Sequence, residues 1–319
     1  MDEYVKGPAP DRWQYTKNYS LYPRWHWNKS CSQYPHEVVQ RCLTRPNSDL
    51  CDECLDLEQR TQVLRELSRH KKVNEIMSCE IVTIAPEASM AEAAGVMGEK
   101  HVGSLIVMKY DLPVGIVTER DLLSKVLALE KNLKEEKVEA AMSYPLIMIE
   151  PDVKIKEAAQ MMVQKKGKLT VFEGRNLVGI LTSSDLIKSL PEVPETEVKV
   201  DDFMTKRVKT VDEKTPIASV AKMMGEKRIG SVVVTREGEP CGIFTERDLL
   251  STLLVEGKPL IAEVGKEASS PVITAPAGTS VHQAAVTMAM KHIRRLPITK
   301  NGELVGIITA RDLVEAYAK

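Results

Sequence analysis

Three shortages narrow the reading of this 319-residue chain. Net charge is the first: 44 Lys and Arg stand against 45 Asp and Glu, a formal −1. No whole-molecule basic field therefore draws it to nucleic acid or to an acidic membrane. Long apolar runs are the second. None approaches the roughly 20 residues that cross a bilayer, and the opening Met1-Asp-Glu-Tyr-Val-Lys6 lacks a charged-then-apolar signal pattern. A soluble cytoplasmic protein without membrane contact is expected. Catalytic pattern is the third. The six histidines (His26, His36, His70, His101, His282 and His292) sit in no metalloprotease, kinase or hydrolase arrangement, and there is no Gly-rich phosphate loop of the Walker or Rossmann type. A non-enzyme is expected.

Aromatics are also scarce, and their placement divides the chain. More than half of them fall between Tyr4 and Tyr34, so the remainder must build its core from Val, Ile, Leu, Ala and Met. The stretch from Met1 to Ser48 is richer in Lys and Arg than in Asp and Glu, and it shows neither helical nor alternating periodicity. Within it Trp13, Tyr15, Tyr19, Tyr22, Trp25 and Trp27 interleave with Lys17, Arg24 and Lys29. Aromatic faces between cations suit stacking on bases and contact with phosphates; the same composition suits a strap over the protein's own body or a protein partner. Four of six cysteines follow at Cys31, Cys42, Cys51 and Cys54. In a reducing compartment such a cluster points to one tetrahedral zinc more than to disulfides, and Cys51/Cys54 has the two-residue gap of a zinc pair. His36 is a substitute ligand. A helix is predicted from about Asp49 to Arg69, on the helical spacing of Leu50, Leu57, Leu64 and Leu67.

From about Val73 onward one pattern is used four times. Gly115-Ile-Val-Thr-Glu-Arg-Asp121, Gly179-Ile-Leu-Thr-Ser-Ser-Asp185, Gly242-Ile-Phe-Thr-Glu-Arg-Asp248 and Gly306-Ile-Ile-Thr-Ala-Arg-Asp312 recur at an almost constant interval. A fixed period this long means one structural unit repeated. Each unit reads β-α-β-β-α: a short strand, a helix, two strands joined by a turn, and a closing helix that starts after Thr118, Thr182, Thr245 or Thr309. Ser89-Met-Ala-Glu92 and Ser280-Val-His-Gln283 read as capping boxes, and Pro216 suits a first helical position. Met97, Met162, Met224 and Met288 fall at matching helical positions and are expected in the core. The first three units are preceded by a segment ending in Met77, Met142 or Met204; the fourth lacks that Met and should differ.

One unit cannot bury both its sheet and its helices, so the units should pair. The organisation expected is α/β (α+β): an irregular Cys-rich extension with a helix at 1–71, a paired module at 72–190 and a second at 199–319. Pro191-Glu-Val-Pro-Glu-Thr196 forms the hinge.

This fourfold Gly-Ile-x-Thr-x-x-Asp pattern resembles the CBS (cystathionine-β-synthase) domain family over about residues 72–319. The resemblance implies two clefts per pair, association into discs, and binding of adenosyl ligands such as AMP, ADP, ATP or S-adenosylmethionine. It implies that Thr118, Asp121, Thr182, Asp185, Thr245, Asp248, Thr309 and Asp312 meet phosphate and ribose. The residues alone also permit a plainer role, since Thr caps a helix and an acid three residues on favours its dipole. Arg120, Arg247 and Arg311 stand beside three of these acids, and Lys291-His-Ile-Arg-Arg-Leu-Pro-Ile298 resembles the phosphate-binding segment of AMP-sensing kinase γ subunits. Lys291, His292, Arg294 and Arg295 are thus candidate phosphate ligands, and the third and fourth units the preferred cleft. Copy two, with Ser183-Ser184 before Asp185, should bind phosphate less well. Apolar helix faces around Leu122-Leu123 and Leu249-Leu250 should drive homodimerisation.

The function expected is a nucleotide-responsive regulator acting through a partner-binding amino-terminal segment. The alternative is an RNA- or ribosome-binding factor whose amino-terminal segment inserts into RNA while the body is scaffold or nucleotide gate.

The cysteine spacing yields the first test. Elemental analysis of the chelator-washed full chain is expected to give close to one zinc per chain, lost in the double variant Cys51→Ala, Cys54→Ala. A folded native protein without metal would remove the zinc reading.

Overall fold

The computed structural model describes residues 71–189, 198–250 and 261–319, together with strands Tyr4–Lys6, Trp25–His26 and Gln40–Cys42. The chain divides into two compact units: Met1–His70 with Glu192–Glu197, and Lys71–Pro191 with Val198–Lys319. In the first, Tyr4–Lys6 pairs antiparallel with both other strands. The extension is therefore not wholly irregular: strands this short do not display alternation in sequence. Trp25 and Cys42 lie in those strands; the other proposed RNA, partner and zinc residues, the 49–69 helix and the proline hinge fall outside the described residues.

The second unit repeats one three-stranded sheet four times. In copy one, Thr83–Ile84 pairs parallel with Ser104–Lys109, which pairs antiparallel with Leu112–Thr118. The other copies match, down to a register irregularity at an equivalent place: Val107/Met108, Val171/Phe172, Val234/Thr235 and Ile298/Thr299. The first hairpin strand buries consecutive residues, as at Leu105, Ile106 and Val107, because both faces of the sheet are covered. Ser89 caps helix Met90–Glu99: its Oγ accepts the Glu92 N–H at 3.1 Å and Glu92 accepts the Ser89 N–H at 2.7 Å. Ser280 likewise accepts the Gln283 N–H. Pro216 stands one residue earlier than expected, at the cap of Ile217–Glu226. The four matching methionines are buried.

No copy completes its own sheet. Residues 71–78 lead into copy one but dock on copy two, with Ser78 bridging to Ile180. Ser143 bridges to Ile116 of copy one, Thr205 to Ile307 of copy four, and Ser269 to Ile243 of copy three. The repeated Gly makes this approach possible: a Cβ on Gly179 would lie 2.5 Å from Met77 Sδ, and one on Gly115 2.7 Å from Met142 Sδ. Met204 covers Gly306 in the same way. Over Gly242 the place is taken by Ala268, the departure that the missing methionine of copy four announces.

The closing helices pack across the modules. Leu250 joins the copy-one core and Leu123 the copy-three core. Helix Ala310–Ala318 of copy four rests on Ile155–Lys165 and Ser183–Ser189 of copy two. The apolar faces expected to require a second chain thus cover one another within this one, and Leu122, Leu123, Leu249 and Leu250 are all at most 3% exposed. The argument for a homodimer through these faces does not stand.

Gly225 marks the tightest point of the crossing, where an added Cβ would collide with Ala128 and lie 3.1 Å from the Leu123 carbonyl oxygen. Gly225→Ala is expected to destabilise by about 1–2 kcal/mol through overpacking. Gly95→Ala, in a helix with nothing within 4 Å, should instead stabilise by up to about 1 kcal/mol. Thermal melts of the two variants check the opposite signs.

Candidate functional site

Thr-x-x-Asp forms a reciprocal cap in copies one, three and four, while in copy two the Asp185 N–H donates to the Thr182 carbonyl instead. In copy one the Thr118 N–H and Oγ1 donate to Asp121 Oδ2 at 2.9 and 2.6 Å, and the Asp121 N–H donates back to Thr118 Oγ1 at 3.2 Å. Thr182/Asp185, Thr245/Asp248 and Thr309/Asp312 make the same forward bonds at 2.7–2.8 Å. The second carboxylate oxygen faces the docked segment of the paired copy. It accepts Ser143 Oγ at Asp121, Ser78 Oγ at Asp185 and Ser269 Oγ at Asp248, at 3.2–3.4 Å. Burial pushes the Asp248 carboxyl above its ordinary range, against the hydrogen bonds from Thr245 and Ser269. Burial raises Asp312 too, against those from Thr309.

Capping and a ligand role are therefore compatible, because one oxygen serves the helix and the other faces the cleft. A cleft of about 170 Å³ opens at the third copy. Ile243, Pro271, Ile273 and Ile293 give it apolar walls, Thr245, Asp248 and Ser269 a polar edge, and Arg247, His292, Arg294 and Arg295 a cationic end. Copy three supplies the helix start and Ile243 of the strand before it, and copy four the rest. Lys291 is exposed at the end of its helix and does not line this cleft, and Arg311 is exposed beside Asp312.

The arginines do not stand as a bare cationic cluster. Arg120 Nε lies 3.2 Å from Glu246 and Arg247 Nε 3.4 Å from Glu119, a reciprocal exchange between copies one and three. Copy four splits its adjacent pair between the same two acids: Arg294 lies 3.2 Å from Glu119 and Arg295 3.1 Å from Glu246. Lys168 of copy two donates to the Gly103 carbonyl at 2.8 Å. Its stem is partly exposed while its ammonium is enclosed beside Glu119. Burial pushes the Glu119 carboxyl up, but Arg294, Arg247 and Lys168 outweigh it and hold it below the usual carboxylate range. Burial pulls Lys168 down to about 8, with Glu119 opposing.

Both acids are nearly buried, Glu119 at 5% and Glu246 at 7% exposure. Removing one partner of a buried pair costs about 3–5 kcal/mol because a charge is stranded, so these acids hold the self-repulsion of the cations in check. Sequence reading passed over Glu119, Glu246 and Lys168. Their signal was a complementarity between copies. Copies one and three carry Glu119 and Glu246 with Ser104 and Ser231, each preceded by a glycine, Gly103 or Gly230; copies two and four carry Ser183 and Ala310 with Lys168 and Arg295 at the places of those serines. The glycines leave room for the acids: a Cβ on Gly103 would lie 3.0 Å from Glu119 Oε2, and one on Gly230 2.8 Å from Glu246 Oε2.

Among known proteins, the CBS domain family model matches residues 73–128, 138–192, 200–255 and 261–319. Protein MJ1404 of Methanocaldococcus jannaschii is 29% identical over 275 residues, 79% of this chain and 63% of that protein, so the chain spans less than two thirds of that relative. Protein MJ1225 of the same organism is 30% identical over 197 residues, 57% of this chain and 69% of that one. The crystal structure of MJ1225, described as a proposed archaeal homologue of γ-AMPK, superposes with a TM-score of 0.68 at 23% identity, covering 77% of this chain and 100% of that chain. A conserved protein from Pyrococcus horikoshii superposes at 0.56, also with 23% identity and the same coverage. At this identity the two structures show the fold. No described helix is long and apolar enough to cross a membrane.

The lowered Lys168 carries a pH signature. Between pH 8 and its ordinary 10.5 the unfolded chain holds a proton at this lysine that the folded chain has lost. Stability from this group therefore rises with pH across that window, by an amount on the order of 3 kcal/mol. In Lys168→Met this rise should vanish. Denaturant unfolding of both proteins at pH 7.5, 9 and 10 measures the difference, and parallel profiles would contradict the assignment.

Proposed function

Because this chain belongs to the CBS domain family, we propose that its body is a regulatory sensor without chemistry of its own. It takes an adenosyl ligand (AMP, ADP, ATP or S-adenosylmethionine) in the cleft between the third and fourth copies. Proteins of this family are typically regulatory and bind adenine nucleotides. The observation that carries the reading is the make-up of one cleft: apolar walls from Ile243, Pro271 and Ile273, the Asp248 carboxylate at a helix start, and Arg247 and Arg294 at one end. Apolar walls suit a purine face. A carboxylate accepts two hydrogen bonds from vicinal ribose hydroxyls, and guanidinium groups present paired donors to phosphate. Arg294 donates to Glu119, which fixes its plane and leaves further N–H groups of the five for a phosphate. At about 170 Å³ the cleft is smaller than the roughly 300–1,000 Å³ of enclosing small-molecule sites. The ligand therefore lies across it with its phosphates toward the arginines. The amino-terminal unit, compact in its own right, is read as the zinc-stabilised segment through which the sensor reaches a partner.

Calorimetry of the full chain with each of the four ligands tests the sensor. Binding is expected, and Asp248→Asn should weaken it by about 1.5–3 kcal/mol, the range for hydrogen bonds to a charged group. Neither heat nor a melting shift with any of the four at millimolar concentration would overturn the reading.

A further inference from the structure

The four clefts share their caps but not their contents. In copy one, Lys125 lies one helical turn beyond Asp121 and turns back onto it. Its Nζ stands 2.7 Å from Asp121 Oδ1, donates to the Ala141 carbonyl at 2.7 Å, and reaches the Met142 carbonyl at 3.5 Å and Ser143 Oγ at 3.4 Å. An ionised carboxylate offers about four acceptor places. At Asp121 they are taken by the Thr118 N–H, Thr118 Oγ1, Ser143 Oγ and Lys125 Nζ. The carboxylate itself is only 9% exposed. The position four residues after the Asp is Ser189, Thr252 and Ala316 in the other copies, so no other copy can close its acid this way.

We propose that Lys125 is a built-in occupant of the first cleft. Its ammonium holds the place at Asp121 that ribose hydroxyls would need, so the adenosyl ligand is excluded there and directed to the third-copy site. The inference rests on the adenosyl reading of the clefts and decides which of them bind. An incoming hydroxyl competes poorly for two reasons. A charge-assisted hydrogen bond to carboxylate is roughly twice as strong as one from a neutral donor. The lysine is also tethered to the same helix, whereas the ligand loses translational freedom on binding. Displacement would further strip Lys125 from the Ala141 carbonyl. That carbonyl belongs to the segment pinned to copy one by the backbone bonds Ser143 N–H to Ile116 O at 2.8 Å and Ile116 N–H to Ser143 O at 3.0 Å. The lysine therefore seals the acid and the docked segment together.

Stoichiometry of the full chain with AMP and ATP, measured by titration calorimetry, tests this. Asp121→Asn is expected to leave the native number of sites unchanged. Lys125→Ala should take up one additional ligand per chain, with affinity within about tenfold of the native site. Adding Asp121→Asn to that variant should remove the gain. Lys125→Met, which keeps the apolar stem, serves where the alanine variant folds poorly. The inference is overturned if Asp121→Asn lowers the native stoichiometry, or if the Lys125 variants bind the same number as the native chain or fewer. A silent native chain with one ligand on Lys125→Ala would sink the third-copy reading and keep this one; silence in every chain would end both.

Discussion

The body depends on one constraint: no CBS copy can cover the outer edge of its own hairpin. The segment that does so arrives from the start of the paired copy and pairs by backbone bonds at Ile116, Ile180, Ile243 and Ile307. A backbone N–H and C=O left bare on a half-buried strand is costly, so two copies fold as one object or not at all. The requirement for glycine at 115, 179 and 306 follows, because a methionine sulfur lies where a Cβ would stand. So does the location of the clefts, since Asp121, Asp185 and Asp248 each meet a serine of the exchanged segment.

A second layer of dependence joins the pairs. Helices of copies one and three exchange leucines, and the same crossing brings Glu119 against Arg247 and Glu246 against Arg120. Copy four then reaches both acids through two consecutive arginines. Charges that would be costly alone become tolerable because each buried carboxylate meets at least two cations. The consequence for function is geometric. Arginines lining the third-copy cleft are held by carboxylates that belong partly to another copy, so the cationic end of that cleft is fixed by the whole body.

The copies have diverged within this frame. Copy three combines apolar walls with a cationic end. Copy one spends its acid on Lys125, and copy two has Ser183 and Ser184 where copies one and three have Glu and Arg. Four sites built on one motif thus offer different chemistry, and the differences lie in residues beside it.

By itself the sequence determined the unit, its number and its local grammar. The near-constant repeat interval, the Thr caps and the core methionines are properties of neighbours along the chain, and short-range physics sets them. It also announced, through a missing methionine, that the segment before copy four would differ. It left the short strands of the amino-terminal unit illegible, because so short a strand carries no period. Only the tertiary structure decided which copy covers which, that Leu123 and Leu250 need no second chain, and that Glu119, Glu246 and Lys168 share one centre. Those contacts join residues far apart along the chain, Arg294 to Glu119 among them, and a carboxylate looks the same in sequence whether it faces water or three cations.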